Sequence, residues 1–144
     1  MKVLLADDSG TMRKIIRRLL EEVGVPSITE AADGAEAIAS FKAGKFDLVL
    51  TDWNMPNKSG LEVVREIRAT GSTVPIIMIT TEAEKDRIAD AILAGATDYL
   101  VKPFDQRKLR RMLEDQVRAN SGAFDGWLPQ LVSHSSPKSA WAGR

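Results

Sequence analysis

Hydrophobic residues occur along this chain in short continuous runs, separated by longer stretches with a different spacing. The runs at residues 2–7, 47–51, 74–79 and 98–101 are nearly uninterrupted, which is typical of strands buried on both faces of a sheet. A weaker run at 27–31 predicts one more strand. The pattern therefore predicts five strands.

Between the runs, the spacing changes to that of amphipathic helices. The stretch 12–23 has apolar residues at every third or fourth position, and 105–119 shows the same pattern. Three further helices are predicted after Asp33, after Ser59 and in the segment 81–95. Every predicted strand is thus followed by a predicted helix.

Two of the predicted helices begin with a capping-box pattern, in which a short polar residue is followed three positions later by glutamate. Asp33 and Glu36 form this pattern before the second helix, and Thr81 and Glu84 form it before the fourth. We expect Asp33 and Thr81 each to accept a hydrogen bond from the first turn of the helix that follows.

Five strand–helix units within about 120 residues predict an α/β fold with helices on both faces of a parallel sheet. Right-handed crossovers favour a doubly wound, five-stranded sheet in the order 2-1-3-4-5, as in flavodoxin-like folds. We assign residues 1–120 to this domain. Residues 121–144 are rich in Ser, Gly and Pro, and two interpretations remain open for them: a disordered tail or a short docked helix.

The composition narrows the class of function. The 144 residues carry 20 basic and 20 acidic side chains, and this balance does not favour binding to nucleic acid or to a membrane surface. The absence of cysteine excludes disulfides and thiolate metal sites. The chain begins without a signal-peptide pattern and has no run long enough to span a bilayer, so we expect a cytoplasmic protein.

Four of the predicted strands end in polar residues whose side chains can bind ions or take part in a reaction. Asp7 and Asp8 follow the first strand, Asp52 the third, Thr80 the fourth and Lys102 the fifth. The carboxyl ends of parallel strands lie along one edge of a sheet, and the order 2-1-3-4-5 places a ligand crevice at the ends of strands 1 and 3. We therefore expect these five side chains to share one cleft.

Three carboxylates in one cleft repel each other, and a hard divalent cation relieves that repulsion. Mg2+ suits a site with one or two carboxylates, a backbone carbonyl and several waters. We assign Asp8 and Asp52 as direct ligands, the Asn54 carbonyl as a third, and Asp7 as a ligand mainly through water. The alternative is that Asp7 and Asp8 only cap the first helix and Asp52 only starts a turn.

Asp52 is the candidate nucleophile, because a carboxylate can attack phosphorus and form an aspartyl phosphate. Lys102 and Thr80 would contact the other phosphoryl oxygens and stabilise their charge. A cis peptide bond between Lys102 and Pro103 would aim the lysine inward. The alternative interpretations are a solvated loop lysine at Lys102 and a helix cap at Thr80.

Several motifs resemble those of a known family. The set Asp7-Asp8, Asp52, Thr80 and Lys102-Pro103-Phe104 is similar to the receiver domain of two-component response regulators. Three segments are especially similar to stand-alone, CheY-like chemotaxis regulators: Trp53-Asn54-Met55-Pro56, Thr80-Thr81-Glu82-Ala83 and Tyr99-Leu100-Val101-Lys102-Pro103-Phe104. The similarity covers residues 1 to about 120 with its spacing intact.

The resemblance implies that Asp52 accepts a phosphoryl group from a phosphohistidine of a sensor histidine kinase. Phosphorylation would draw Thr80 toward the phosphate, Tyr99 would turn inward, and a target protein would bind the face formed by the last two helices and the last strand. Asn54 and Glu82 would tune dephosphorylation, with or without a phosphatase. Such a domain catalyses only its own phosphotransfer and dephosphorylation, as a monomer or a phosphorylation-dependent dimer.

Other functions remain possible on the same topology. A haloacid-dehalogenase-like phosphohydrolase also uses an aspartyl nucleophile, but its Asp-x-Asp motif follows the first strand. An FMN binder would need a phosphate loop where Asp7 and Asp8 repel phosphate. Two further alternatives remain open: the receiver fragment of a multidomain transcription regulator, and an α/β module without chemistry at its polar edge.

Overall fold

The computed structural model describes residues 1–119, so the predictions for 121–144 lie outside the described residues. The five strands span the following residues: β1 Lys2–Ala6, β2 Ser27–Ala31, β3 Leu48–Asp52, β4 Ile76–Thr81 and β5 Asp98–Lys102. The α-helices span the following residues: α1 Gly10–Glu22, α2 Gly34–Ala43, α3 Gly60–Ala69, α4 Ile88–Ala94 and α5 Gln106–Ala119. A 3-10 segment, Glu82–Arg87, joins β4 to α4.

The strands form one parallel sheet in the order β2-β1-β3-β4-β5, which confirms the predicted topology. The first and third strands are neighbours at its centre, where the chain changes direction across the sheet. The register pairs Ala6 of β1 with Thr51 of β3, and Asp52 with Ile79 of β4. The residues just beyond these pairs therefore lie side by side at the carboxyl edge.

Successive strand residues serve two separate hydrophobic cores, because side chains alternate across a sheet. One core, called here the first core, contains Leu5, Leu50 and Ile79 and is covered by α1 and α5. The second core contains Leu4 and Met78, and α2, α3 and α4 pack against it. Both faces of the strands are buried, which explains why the strand sequences are nearly continuous hydrophobic runs.

Side-chain caps fix the start of the first three helices. Ser9, Asp33 and Ser59 each accept a hydrogen bond from a backbone N–H of the first turn. Only part of the capping box predicted at Asp33 forms, because the Glu36 carboxylate accepts from the Ala32 N–H instead of the Asp33 N–H. The full box is found at Ser59 and Glu62.

The prediction that Thr81 caps the fourth helix is wrong. Thr81 makes no capping hydrogen bond, and the segment after it is a 3-10 helix, so α4 begins only at Ile88. The Thr81 hydroxyl donates to the Glu84 carboxylate instead, at 3.1 Å. A threonine that caps a helix uses its hydroxyl oxygen as an acceptor and leaves the hydroxyl proton free for water. Here Thr81 donates that proton to Glu84.

The other end of α4 is firmly held by Arg68 of α3. The Arg68 guanidinium donates to the Gly95 carbonyl at 2.9 Å, to the Ser72 carbonyl at 3.0 Å and to the Thr97 hydroxyl at 3.4 Å. Gly95 ends α4 with φ of 119°, a left-handed conformation that glycine adopts at low cost. Within residues 1–119 no helix is long and apolar enough to cross a membrane.

Candidate functional site

The carboxyl edge of the sheet brings the three predicted aspartates together. Asp7 follows Ala6 and lies beside Asp52, as the register of β1 and β3 requires. One carboxylate oxygen from each of Asp7, Asp8 and Asp52 lies within 4.8 Å of the others. Asp7 is buried, Asp52 is partly buried and Asp8 is exposed, so the cluster opens to solvent on the side of Asp8.

Lys102 of β5 reaches across the sheet edge into this cluster. Its ammonium lies 3.6 Å from Asp52 Oδ2 and 3.8 Å from Asp7 Oδ2, and its side chain is only 16% exposed. The peptide bond between Lys102 and Pro103 is cis. The two short distances and the low exposure make the lysine an inward-facing cation between two carboxylates, and the interpretation of a solvated loop lysine is wrong.

The donor set of the cluster fits a hard divalent cation. The Ser9 N–H donates to Asp7 Oδ1 at 2.9 Å, whereas the buried Asp7 Oδ2 has no hydrogen-bond partner among the described residues. Such a buried carboxylate oxygen is costly unless a charge lies nearby. Three carboxylates face a single ammonium here, so an uncompensated negative charge remains. Oxygen ligands and excess negative charge are what Mg2+ prefers.

Burial raises the pKa of the Asp52 carboxyl, and the Lys102 ammonium opposes that increase. The negative charges of Asp7 and Glu84 raise the pKa further, while the Trp53 N–H, which donates to Asp52 Oδ1 at 2.8 Å, lowers it. The net direction is upward. At Asp52 the effect of burial on the pKa therefore outweighs the Lys102 ammonium and the Trp53 hydrogen bond.

Thr80 is fully buried, and its side chain faces away from the aspartates. Along β4, Ile79 lies in the first core and Met78 in the second, and Thr80 continues on the side of Met78. Its hydroxyl accepts a hydrogen bond from the indole N–H of Trp53 at 3.0 Å. Among the described residues, Thr80 makes no hydrogen bond to Asp52.

A sequence profile described as the response regulator receiver domain matches residues 3–114. The chain belongs to this family. The chemotaxis protein CheY of Pseudomonas aeruginosa is 41% identical to this receiver domain over 116 residues, which are 79% of this chain and 94% of that protein. The resemblance inferred from the motifs is therefore confirmed.

Solved structures agree with the fold of this receiver domain. The chemotaxis response regulator CheY4 of Vibrio cholerae has a TM-score of 0.74 and 36% identity, and the match covers 80% of this chain and 97% of that one. The receiver domain of the sensor histidine kinase PA1611 of Pseudomonas aeruginosa, with magnesium coordinated in its active site cleft, has a TM-score of 0.73 and 34% identity. That match covers 81% of this chain and 96% of the other.

Two residues predicted to tune dephosphorylation lie at the margin of the receiver site. The Asn54 side chain donates to Glu84 Oε2 at 2.7 Å, and Asn54 is exposed. The Glu82 side chain is 76% exposed and lies 3.6 Å from the Lys85 ammonium, an i,i+3 ion pair within the 3-10 segment. The structure does not bring Asn54 and Glu82 into contact. The role of the Asn54 carbonyl as a metal ligand stays a prediction.

Tyr99 lies on β5 and is 38% exposed. Its ring is therefore turned partly outward, and no hydrogen bond joins it to Thr80 among the described residues. The proposed inward turn of Tyr99 stays a prediction. Nearby on α4, Ile92 and Leu93 are also exposed, so this side of the domain presents apolar surface to solvent.

Glu84 was missed as a residue of the site. Its carboxylate accepts from both Asn54 and Thr81, so it joins the loop after β3 to the end of β4 beside Asp52. The sequence contained a signal in the Thr81–Glu84 spacing, but that spacing was interpreted as a helix cap. The contact with Asn54 spans 30 positions and has no local sequence signal.

Gly60 was also missed, although it sets the position of Asp52. A Cβ atom on Gly60 would lie 1.9 Å from the Asp52 carbonyl oxygen, so only glycine allows α3 to approach β3 this closely. The Gly60 N–H donates to the Trp53 carbonyl at 2.8 Å. The start of α3 therefore packs directly against the backbone of Asp52, the candidate nucleophile, and of Trp53, which follows it.

Proposed function

We propose that this receiver domain is a single-domain response regulator that accepts a phosphoryl group on Asp52 and thereby changes its affinity for a target protein. The observation that supports this most strongly is the contact of Asp52 with Lys102 within a cluster of three aspartates. A carboxylate, a cation and an acidic cluster at the carboxyl edge of a parallel sheet are suited to phosphoryl transfer.

The proposed phosphoryl donor is a phosphohistidine of a sensor histidine kinase. An Asp52 carboxylate oxygen attacks phosphorus, the new O–P bond forms as the P–N bond breaks, and the electron pair of that bond returns to the imidazole nitrogen. Lys102 stabilises the phosphoryl oxygens from its place between Asp7 and Asp52. The domain catalyses only this transfer and the later hydrolysis of its own aspartyl phosphate.

Asp7, Asp8 and Asp52 would hold Mg2+, together with the Asn54 carbonyl. When bound, the ion would neutralise carboxylate charge and stabilise the charge that develops on the phosphoryl group. Asp7 Oδ2, which lacks a hydrogen bond, and the excess of carboxylates over ammonium groups support this assignment. The magnesium in the cleft of the PA1611 receiver domain is consistent with it.

The output of the proposed switch is a change on the surface formed by α4, β5 and α5. Leu93 is 86% exposed on α4, and Tyr99 is exposed nearby on β5, so the unphosphorylated domain already offers apolar contact area. A phosphoryl group adds a charge of about −1.5 to −2, which is enough to bias a two-state element. Similarity to CheY proteins favours a target in chemotaxis.

Incubation with acetyl phosphate and Mg2+, followed by intact-mass spectrometry, tests the proposal. We expect a gain of one phosphate that disappears in Asp52→Asn and in the presence of EDTA. Asp47→Asn is the matched control, because Asp47 lies just before the opposite end of β3, where it accepts a hydrogen bond from the Lys2 N–H. Phosphate on Asp52→Asn, or none on the unaltered protein, would contradict the proposal.

A further inference from the structure

The buried hydrogen bond between Trp53 and Thr80 has no part in the phosphoryl chemistry described so far. Both side chains are fully buried, and the indole Nε1 lies 3.0 Å from the Thr80 Oγ1. An indole N–H can only donate, so it needs an acceptor when it is removed from water. In the part of the chain that the structure describes, that acceptor is the Thr80 hydroxyl.

The two sides of the Thr80 hydroxyl are held with unequal strength. As an acceptor it is engaged at a normal distance by Trp53. As a donor it reaches the Thr81 carbonyl at 3.4 Å, which is longer than a good O–H···O hydrogen bond. Trp53 therefore holds Thr80 on the second-core side of the sheet, while the hydroxyl proton is only weakly engaged.

Trp53 also contacts the segment that leads into α4. The Arg87 guanidinium lies over the Trp53 ring, 4.4 Å from its centroid, which is a cation–π geometry. No side chain of Glu82–Arg87 is buried, so this stacking is one of few contacts that hold the segment to the domain. Trp53 thus links Thr80 to the start of α4.

We propose that Trp53 is a positioning residue for Thr80, holding its hydroxyl away from Asp52 until a phosphoryl group is bound. This inference rests on the proposed function and on the expectation from the sequence that the Thr80 hydroxyl contacts the phosphoryl oxygens. Charged phosphoryl oxygens are stronger acceptors for the hydroxyl proton than the Thr81 carbonyl, so they draw Thr80 toward Asp52. The indole then loses its buried acceptor, and that loss lowers the affinity of the domain for the phosphoryl group.

The release of Thr80 also changes the surroundings of Arg87. The ring whose N–H loses its acceptor is the ring on which the guanidinium stacks, so a shift of the indole is passed to Arg87. The 3-10 segment therefore responds to the state of Thr80 through Trp53. This route from the phosphorylation site to α4 consists of the hydrogen bond at Thr80 and the stacking at Arg87.

The test measures the affinity for BeF3−, a stable mimic of a phosphoryl group, in excess Mg2+. Trp53→Phe removes the N–H and keeps an aromatic ring. It is expected to bind BeF3− about five- to tenfold more tightly, the worth of one net buried hydrogen bond. Introduced into Thr80→Ala, the same change is expected to have no effect. Equal or weaker binding by Trp53→Phe, or an equal gain in the Thr80→Ala background, would overturn the proposal.

Arg87→Met tests the stacked guanidinium separately from the indole N–H, because it removes the cation over the Trp53 ring and leaves the indole donor in place. We expect its effect on the BeF3− affinity to be much smaller than that of Trp53→Phe. An effect of the same size would assign the change in BeF3− affinity to the guanidinium stacked on the ring and would refute the role of the hydrogen bond.

A second measurement does not depend on how well Trp53→Phe folds. In the 15N-labelled protein, the Trp53 indole N–H signal should move on saturation with BeF3− toward its position in Thr80→Ala. In Thr80→Ala itself, BeF3− should leave the signal nearly in place. A signal that stays still in the unaltered protein would exclude the release of Thr80 from Trp53.

The two proposals fail in different ways. If the unaltered protein neither binds BeF3− nor gains phosphate on Asp52, the proposed function falls and the role of Trp53 falls with it. If the unaltered protein does both and Trp53 shows no coupling to Thr80, only the role of Trp53 is refuted.

Discussion

The segments that follow β3 and β4 carry the same capping pattern and fold differently. Ser59 and Glu62 form a complete capping box, and an α-helix starts at once with four of its residues buried. Thr81 and Glu84 have the same spacing, yet a 3-10 segment with no buried side chain follows. At Glu84 the carboxylate accepts from the Thr81 hydroxyl and the Asn54 side chain, and the Thr81 side chain makes no capping hydrogen bond.

The start of α3 and the segment after β4 border the same site, but they are held to the domain with different strength. The α3 start fixes the backbone at Asp52 through Gly60, with a carbonyl contact that leaves no space for a side chain. The segment after β4 is held mainly by side-chain contacts at Asn54, Thr81 and Trp53. The nucleophile therefore sits on a rigid base, beside a segment that can rearrange at low cost.

The largest expected effect is a loss of stability at the start of α3. Gly60→Ala places a methyl group against the Asp52 carbonyl, so backbone must move, and we expect a loss of about 3 kcal/mol in the free energy of unfolding. Gly10→Ala is the matched control, because Gly10 is also the first residue of its helix and its Cβ would meet Arg13 at an ordinary 3.7 Å. Urea unfolding of both variants checks this, and equal stability of the two would contradict the close packing.

The next effect concerns the charge of Asp52, which lies between the start of α3 and the segment after β4. Asp52→Asn removes a partly buried carboxylate whose pKa is raised by burial, and Lys102 keeps Asp7 as a partner, so at pH 7 and in EDTA we expect the change to stabilise the protein. Glu84 also raises this pKa, so the gain should be smaller in a Glu84→Gln background. Urea unfolding of the four proteins measures it, and a stability loss in Asp52→Asn would refute it.

The pH dependence of that gain has a definite sign. Unfolded aspartate has a pKa of about 3.9, and the folded pKa of Asp52 is higher, so between the two values the folded state binds more protons. The stability contributed by Asp52 therefore falls as the pH rises through this window. The advantage of Asp52→Asn should be complete above the folded pKa and absent below the unfolded pKa.

The smallest effect sharpens the comparison of the two caps. Ser59→Ala removes a capping hydrogen bond and should cost about 1 kcal/mol of unfolding free energy. Thr81→Ala removes no cap, and we expect a loss below about 0.5 kcal/mol, as for other surface changes. Chemical denaturation of the pair tests the difference. A larger loss at Thr81 would mean that the 3-10 segment depends on its pair with Glu84.

The sequence predicted the fold well because its strands are buried on both faces. That burial makes each strand a continuous apolar run, and five runs alternating with helical spacing leave few topologies. The meeting of Asp7, Asp52 and Lys102 followed from the strand order alone, because each ends or follows a strand at the same edge.

The surroundings of Thr80 were not predictable in the same way. Thr80 and Trp53 are 27 positions apart, and their contact depends on which face of β4 the threonine occupies. The α-helix predicted from Thr81 begins only at Ile88, and local spacing cannot reveal that the Glu84 carboxylate accepts a hydrogen bond from Asn54, 30 positions away. Sequence patterns record the burial of a segment and the chemistry of its ends, but they do not record side-chain pairs between distant loops.

The contacts of Arg68 have a mechanical consequence for α4. Its guanidinium ties the Gly95 carbonyl and the Thr97 hydroxyl to α3, while the opposite end of the helix follows a segment with no buried side chain. A rod anchored at one end and loosely tethered at the other swings about its anchor. We therefore expect the residues near Gly95 to move least when the segment that precedes α4 rearranges.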